Sequence, residues 1–195
     1  TVVAGEAAPD QDFFPLTVNY EEKLYASGTI KNSRFMKREG RSTDDAIIAQ
    51  RAVDHAIRPL FPNDYMDEVQ VIATVLSLDK DADPEFLSMV AVSTTLTASD
   101  IPWAGPMSTA RVGLIDDKFV LCPCVEELQE KSDLHMMVSF VGKDKRFLAV
   151  EASANILPET KILEAINFAR ENVDPLLTLI ESFADEVNPE KTKYV

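Results

Sequence analysis

"EVQVIATVLSL", Glu68–Leu78, decides how the rest of the chain is read. It is rich in β-branched and apolar residues, a composition that suits a central strand covered on both faces. Asp83-Pro84-Glu85 then opens a helix, with Asp as the cap and Pro at the first helical position. That helix runs to about Ala98, and its content ("FLSMVAVSTTLTA") predicts burial on most sides. Upstream, Leu16–Ala26 has strand composition, with Leu16, Val18 and Tyr20 alternating. Ser42-Thr43-Asp44-Asp45 is a helix start, hydroxyl caps followed by acids in the first turn. The helix is expected over 44–57, with Ala46, Ala49, Val53, Ala56 and Ile57 on its apolar face and Pro59 and Pro62 ending it. The opening "TVVAG" reads as the tail of a strand already under way, in a chain cut from something longer, with a tag or processing cut ahead of a complete domain as the alternative.

Downstream, Arg111–Leu121 reads as a hairpin around Asp116-Asp117. Leu134–Val141 and Arg146–Ala152 read as another, turning at 142–145. Pro158 opens one last long helix, with Ile162, Ile166, Ala169, Val173 and Leu176 on its core side. Residues 185–195 are polar and read as a linker. Strands, helix, strand, helix, two hairpins and a helix define one α+β domain over residues 1–184.

Composition bounds the function. The chain has 195 residues, 46% of them apolar, enough for a sizeable core. No apolar run reaches the roughly 18–20 residues of a membrane span, and no stretch reads as a signal peptide. Cys122 and Cys124 are too closely spaced for the usual zinc pairing and read as ordinary thiols in a reducing compartment. The net charge of −14 argues against general nucleic-acid binding. The charge is segregated, however. Residues 31–58 hold seven Lys/Arg against four Asp/Glu, a balance of +3, and the remaining 12 and 29 give −17.

Lys31, Arg34, Lys37, Arg38 and Arg41 crowd the loop 27–42, where Phe35 and Met36 stand beside the cations. A π-face for a base next to ammonium and guanidinium groups for phosphates is what single-stranded nucleic acid requires. The same composition also suits a solvated loop with Phe35 folded back on the core. Gly28 and Gly40 allow that loop to turn sharply. Arg51, Asp54, His55 and Arg58 fall at i, i+3, i+4 and i+7, on one helix face. An Asp between two Arg holds both guanidinium groups while leaving donors for phosphate. The alternative is an ordinary salt-bridged solvent face. Asp79, Asp81 and Asp83 alternate in a spacing that could gather a cation, but a solvated turn explains them more simply. His135 reads as structural, and the sequence offers no catalytic nucleophile–base or carboxylate pair.

The blocks "DFFPLTVNYEEKLYASG", "FMKREGR", "IRPLFP", "EVQVIATVLSLD", "DIPWAGP" and "ARVGLID" with "FVLCP" occur in this order. Over residues 12–183 the chain resembles the first ribonuclease-PH-like core domain of the polynucleotide phosphorylase family. The resemblance implies an α+β ribonuclease-PH-like (ribosomal protein S5 domain 2-like) fold lacking its N-terminal strands, with 185–195 leading toward a helical domain. It implies phosphate-dependent 3′-to-5′ RNA degradation that releases nucleoside diphosphates, a homotrimer around an RNA channel, and a second ribonuclease-PH-like domain. Mg²⁺ and inorganic phosphate would bind on that second domain, with no catalytic residue in this chain. Phe35, Met36, Lys37 and Arg38 fall where the family often has Phe-Phe-Arg-Arg, the RNA-gripping loop. Arg41 belongs to the same basic set, Arg51 and Arg58 fall on arginines facing the RNA path, and Asp54 is the orienting acid between them. His55-Ala56 stands where the family usually has Arg-Pro. The setting implied is cytoplasmic, with an organelle matrix or stroma as the alternative. A non-catalytic RNA-binding or assembly domain is the second functional reading.

Overall fold

The computed structural model describes residues 1–28, 42–79, 81–187 and 189–193. Phe35, Met36, Lys37, Arg38 and Arg41 lie outside the described residues. The chain begins with strand β1 (Val2–Gly5) and strand β2 (Leu16–Glu22). The strand expected to reach Ala26 stops earlier, because Leu24–Ser27 winds into a 3-10 turn ended by Gly28 at φ +74°. Helix α1 (Asp44–Ile57) follows, capped by the Thr43 hydroxyl, which accepts from Ala46 N. After it come β3 (Glu68–Val75) and α2 (Pro84–Thr97), where Asp83 accepts from Phe86 N as the N-cap. The second half contains β4 (Met107–Ile115), β5 (Lys118–Leu121), a short α3 (Val125–Glu130), β6 (Leu134–Val141), β7 (Arg146–Ala154), α4 (Glu159–Asn172) and α5 (Asp174–Val187).

The strands form two sheets, ordered β1-β3-β2 and β5-β4-β6-β7. β3 is central in the first, parallel to β2 and antiparallel to β1. Its pairing sets Leu16 beside Val69 and Val18 beside Val71, so the buried residues of both strands share one face. That face packs on α1 through Ala52 and Val53 and on α2 through Met89 and Val92. The expectation of a β3 covered on both faces is therefore corrected: Glu68 and Thr74, of opposite parity to Val69 and Val71, are exposed. The second sheet is antiparallel throughout. The Asp116-Asp117 hairpin is as expected, with both residues at positive φ as a primed turn requires. The final helix is two helices, not one: α4 ends before Pro175, which cannot donate to a continuing ladder. α5 also extends to Val187, past the expected start of the linker. The core of the first sheet reaches into the second half through Met107, Met137, Val141 and Ala149.

Two of the quoted blocks dock on each other. Trp103 Nε1 donates to Ile57 O at 3.2 Å, and Ala104 N donates to Leu60 O at 2.8 Å. Gly105 is required beside them, since a Cβ there would lie 2.0 Å from the Trp103 ring. These bonds fix where α1 ends, and with it the charged face that α1 carries.

Candidate nucleic-acid interface

α1 buries Ala46, Ala49, Ala52, Val53, Ala56 and Ile57 and turns Arg51, Asp54, His55 and Arg58 outward. The helical spacing read in the sequence does bring these four together. With Pro59 and Glu151 they line a pocket of 430 Å³.

Asp54 and Arg58 form a two-pronged ion pair, Nη2 to Oδ1 at 2.7 Å and Nε to Oδ2 at 3.2 Å. The guanidinium also donates from Nη1 to Phe14 O and from Nη2 to Leu16 O, each at 3.3 Å. Its carbon sits 5.6 Å from the centre of the Phe14 ring. Phe14 in turn packs on Phe61 and Tyr65, with ring centres 4.7 and 5.4 Å away. The "DFFP" and "IRPLFP" blocks thus form an aromatic seat that holds Arg58. Four of that side chain's five N–H groups are engaged, which leaves one for an outside acceptor.

Arg51 differs. It is exposed, and its side chain makes no hydrogen bond or ion pair among the described residues. Asp54 therefore orients Arg58, and no bond from it to Arg51 accompanies that pairing. Among the described residues, a fixed, mostly satisfied guanidinium and a free one stand side by side. Such a pair gives an incoming phosphate one rigid wall and one mobile cation.

The sequence reading missed two contributors. Glu151, on β7, comes from the second sheet, and its Oε1 lies 3.9 Å from His55 Nδ1. No local signal in β7 links it to α1. Phe14 was legible only as part of a quoted block, not as the support under Arg58.

A second charged cluster lies between α2 and β4. Arg111, 5% exposed, has Nε 2.7 Å from Asp83 Oδ2, and its Nη2 donates to Glu85. The acids expected to lie in a solvated turn are thus partly drawn inward, and a guanidinium is the cation that Asp83 meets. Burial, then the Arg111 charge, pushes the His135 imidazole below its ordinary value. Burial and a hydrogen bond to Glu22 push Tyr20 far above its own. Among the described residues no group of His, Cys, Asp and Glu side chains is placed to hold a metal ion, and Asp83 and Glu85 are turned onto Arg111. Cys122 and Cys124 are free thiols, as expected.

Residues 1–102 match the model of the 3′ exoribonuclease family, domain 1, and residues 105–172 match that family's domain 2. The chain belongs to the 3′ exoribonuclease family, and its α+β architecture is of the ribonuclease-PH-like kind. More particularly, it is similar to polyribonucleotide nucleotidyltransferases. It is 46% identical to that of Geobacillus kaustophilus over 195 residues, all of this chain and 26% of the relative. It is 46% identical to that of Bacillus cytotoxicus over 191 residues, 98% of this chain and 26% of the relative. It is 45% identical to that of Anoxybacillus flavithermus, again over all of this chain and 27% of the relative. The chain thus spans about a quarter of the length of these relatives. The boundary between the two family models falls where the chain leaves the first sheet for the second.

Proposed function

We propose that this chain is the N-terminal core domain of a phosphate-dependent 3′-to-5′ exoribonuclease, and that it guides RNA rather than cleaving it. The observation that carries the reading is the α1 face, where Arg51, without a partner among the described residues, stands beside an Arg58 fixed by Asp54. A single strand running along that face meets cations without competing acids on every one of them. Phe35, Met36, Lys37, Arg38 and Arg41 extend the same path, with Phe35 stacking on a base and the cations on phosphates. The whole protein acts as a homotrimer with a central channel. Mg²⁺ and inorganic phosphate bind on a second ribonuclease-PH-like domain, which carries the chemistry. The bacterial relatives support a cytoplasmic setting. Among the described residues no helix is long and apolar enough to cross a membrane.

The test compares residues 1–195 with the full-length protein on a single-stranded oligonucleotide with phosphate and Mg²⁺. Nucleoside diphosphates are expected from the full-length protein and not from the piece. Robust turnover by the piece, with host enzyme excluded, places the chemistry in this half and overturns the reading.

A further inference from the structure

The pocket on α1 has a charge balance that its arginines alone conceal. Arg51 and Arg58 supply two cations, and Asp54 and Glu151 supply two anions. With a neutral imidazole on His55 the formal charges of these described lining residues balance. With an imidazolium the lining gains one positive charge. His55 is exposed, so solvent can deliver the proton, and imidazoles change charge between about pH 5 and 8. Among the described residues, the titratable and charged groups facing His55 are Arg51, Asp54 and Arg58 from its own helical segment and Glu151 from β7. A small cavity on its other flank is lined, Glu151 apart, by uncharged side chains of α1, α2, β6 and β7.

We propose that His55 and Glu151 are further binding determinants of this pocket, which takes a phosphate of single-stranded RNA together with a proton on His55. The inference rests on the reading of the α1 face as an RNA path. Glu151 is a counter-charge supplied by the second sheet. It sets the pocket to neutrality when His55 is uncharged, and it holds the imidazolium in place when His55 is charged. No covalent step is involved: the proton comes from solvent onto an imidazole nitrogen and returns when the phosphate leaves.

The experiment titrates the full-length protein with oligouridylate between pH 8 and 5.5, where neither the diesters nor the bases change charge. The parent is expected to bind about two- to fivefold more tightly at pH 5.5, the range for one exposed ion contact. His55→Gln should lose that gain, so that its affinity no longer rises between pH 8 and 5.5. His55→Arg should bind tightly at every pH. Glu151→Gln should raise affinity at pH 8, because it removes the balancing anion. A pH gain that survives in His55→Gln overturns the proposal, as does a parent that shows no gain. Arg51→Ala separates the two levels of inference. If it binds like the parent, the α1 face is not an RNA path and both readings fall. If it weakens binding while His55→Gln leaves the pH profile unchanged, only the proton linkage falls.

Discussion

Arg58 and Arg111 are the same side chain put to opposite uses. Arg58 is 41% exposed at the end of α1, with one carboxylate, two carbonyls and a ring around it. Arg111 is 5% exposed between β4 and α2, with two carboxylates drawn onto it. At the first, water screens the pair, so fixing it contributes little to stability but leaves the charge where a ligand can meet it. At the second, the guanidinium is buried and its two carboxylates are only partly exposed. There the pair makes little net contribution, yet losing one partner strands a buried charge. One arginine faces outward on the proposed RNA path, and the other fastens the first half of the chain to the second.

That contrast fixes the largest expected effect. Arg111→Ala should destabilise the protein by about 3–5 kcal/mol, because Asp83 and Glu85 lose their counter-ion in a closed setting. Asp83 is also the cap of α2, so the helix start is disturbed as well. Denaturant midpoints of parent and variant measure it. A loss below about 1 kcal/mol would put Arg111 in the same class as Arg58 and dissolve the comparison.

The outward side should respond in binding. In the full-length protein Phe35→Ala is expected to weaken single-strand affinity by about 1–3 kcal/mol with the salt slope kept, since a base–aromatic stack is lost. Arg38→Ala should weaken binding and flatten the slope of log K against log[salt] by roughly 0.7, as one phosphate contact disappears. Titrations at several salt concentrations read both. If both variants bind like the parent, the basic loop is only a solvated connection.

A smaller effect concerns Asp54. Its pairing with Arg58 is half open to water, so Asp54→Ala should cost about 1 kcal/mol of stability or less. RNA affinity should nevertheless fall, although a negative charge has been removed, because Arg58 loses the prong that fixes it. Rising affinity would reduce Asp54 to a simple charge effect.

The two clusters were not equally legible in the sequence. α1 was, with its bounds, its apolar stripe and its outward set, because caps and helical spacing are local signals. The hairpin at Asp116-Asp117 was as well. Arg111 read only as the first residue of a strand. Its burial depends on the start of α2 lying over β4, a contact between segments 26 residues apart that no period encodes. Glu151 was hidden for the same reason, since strand alternation says nothing of which helix crosses a strand's outer face. The position of β3 between β1 and β2 was half legible: its composition marked it as central, while the open second face depends on where both helices pack. Asp54 was read as serving two arginines because i, i+3 and i+4 neighbours are equivalent on a helical wheel. The tie between Arg58 and the Phe14 and Leu16 carbonyls, 44 and 42 residues away, broke that equivalence.

The smallest expected effect uses the histidine beside the buried cluster. His135 titrates below its ordinary value, chiefly by burial and then by the Arg111 charge. In the unfolded chain its imidazole returns to about 6.5. Between the two values the unfolded state binds more protons, so falling pH favours unfolding. Its contribution is therefore intact above the ordinary imidazole value and is lost as pH falls through that value toward the folded one. His135→Gln should remove this part of the slope of stability against pH, read as the difference between parent and variant over pH 5–8. Partial exposure keeps the difference small. In Arg111→Lys the like charge persists, so the slope should remain. A parent whose stability rises as pH falls through this window, with the rise abolished in His135→Gln, would mean that Asp83 and Glu85 outweigh burial and Arg111 at this site. The buried cluster would then act on its histidine as an anion.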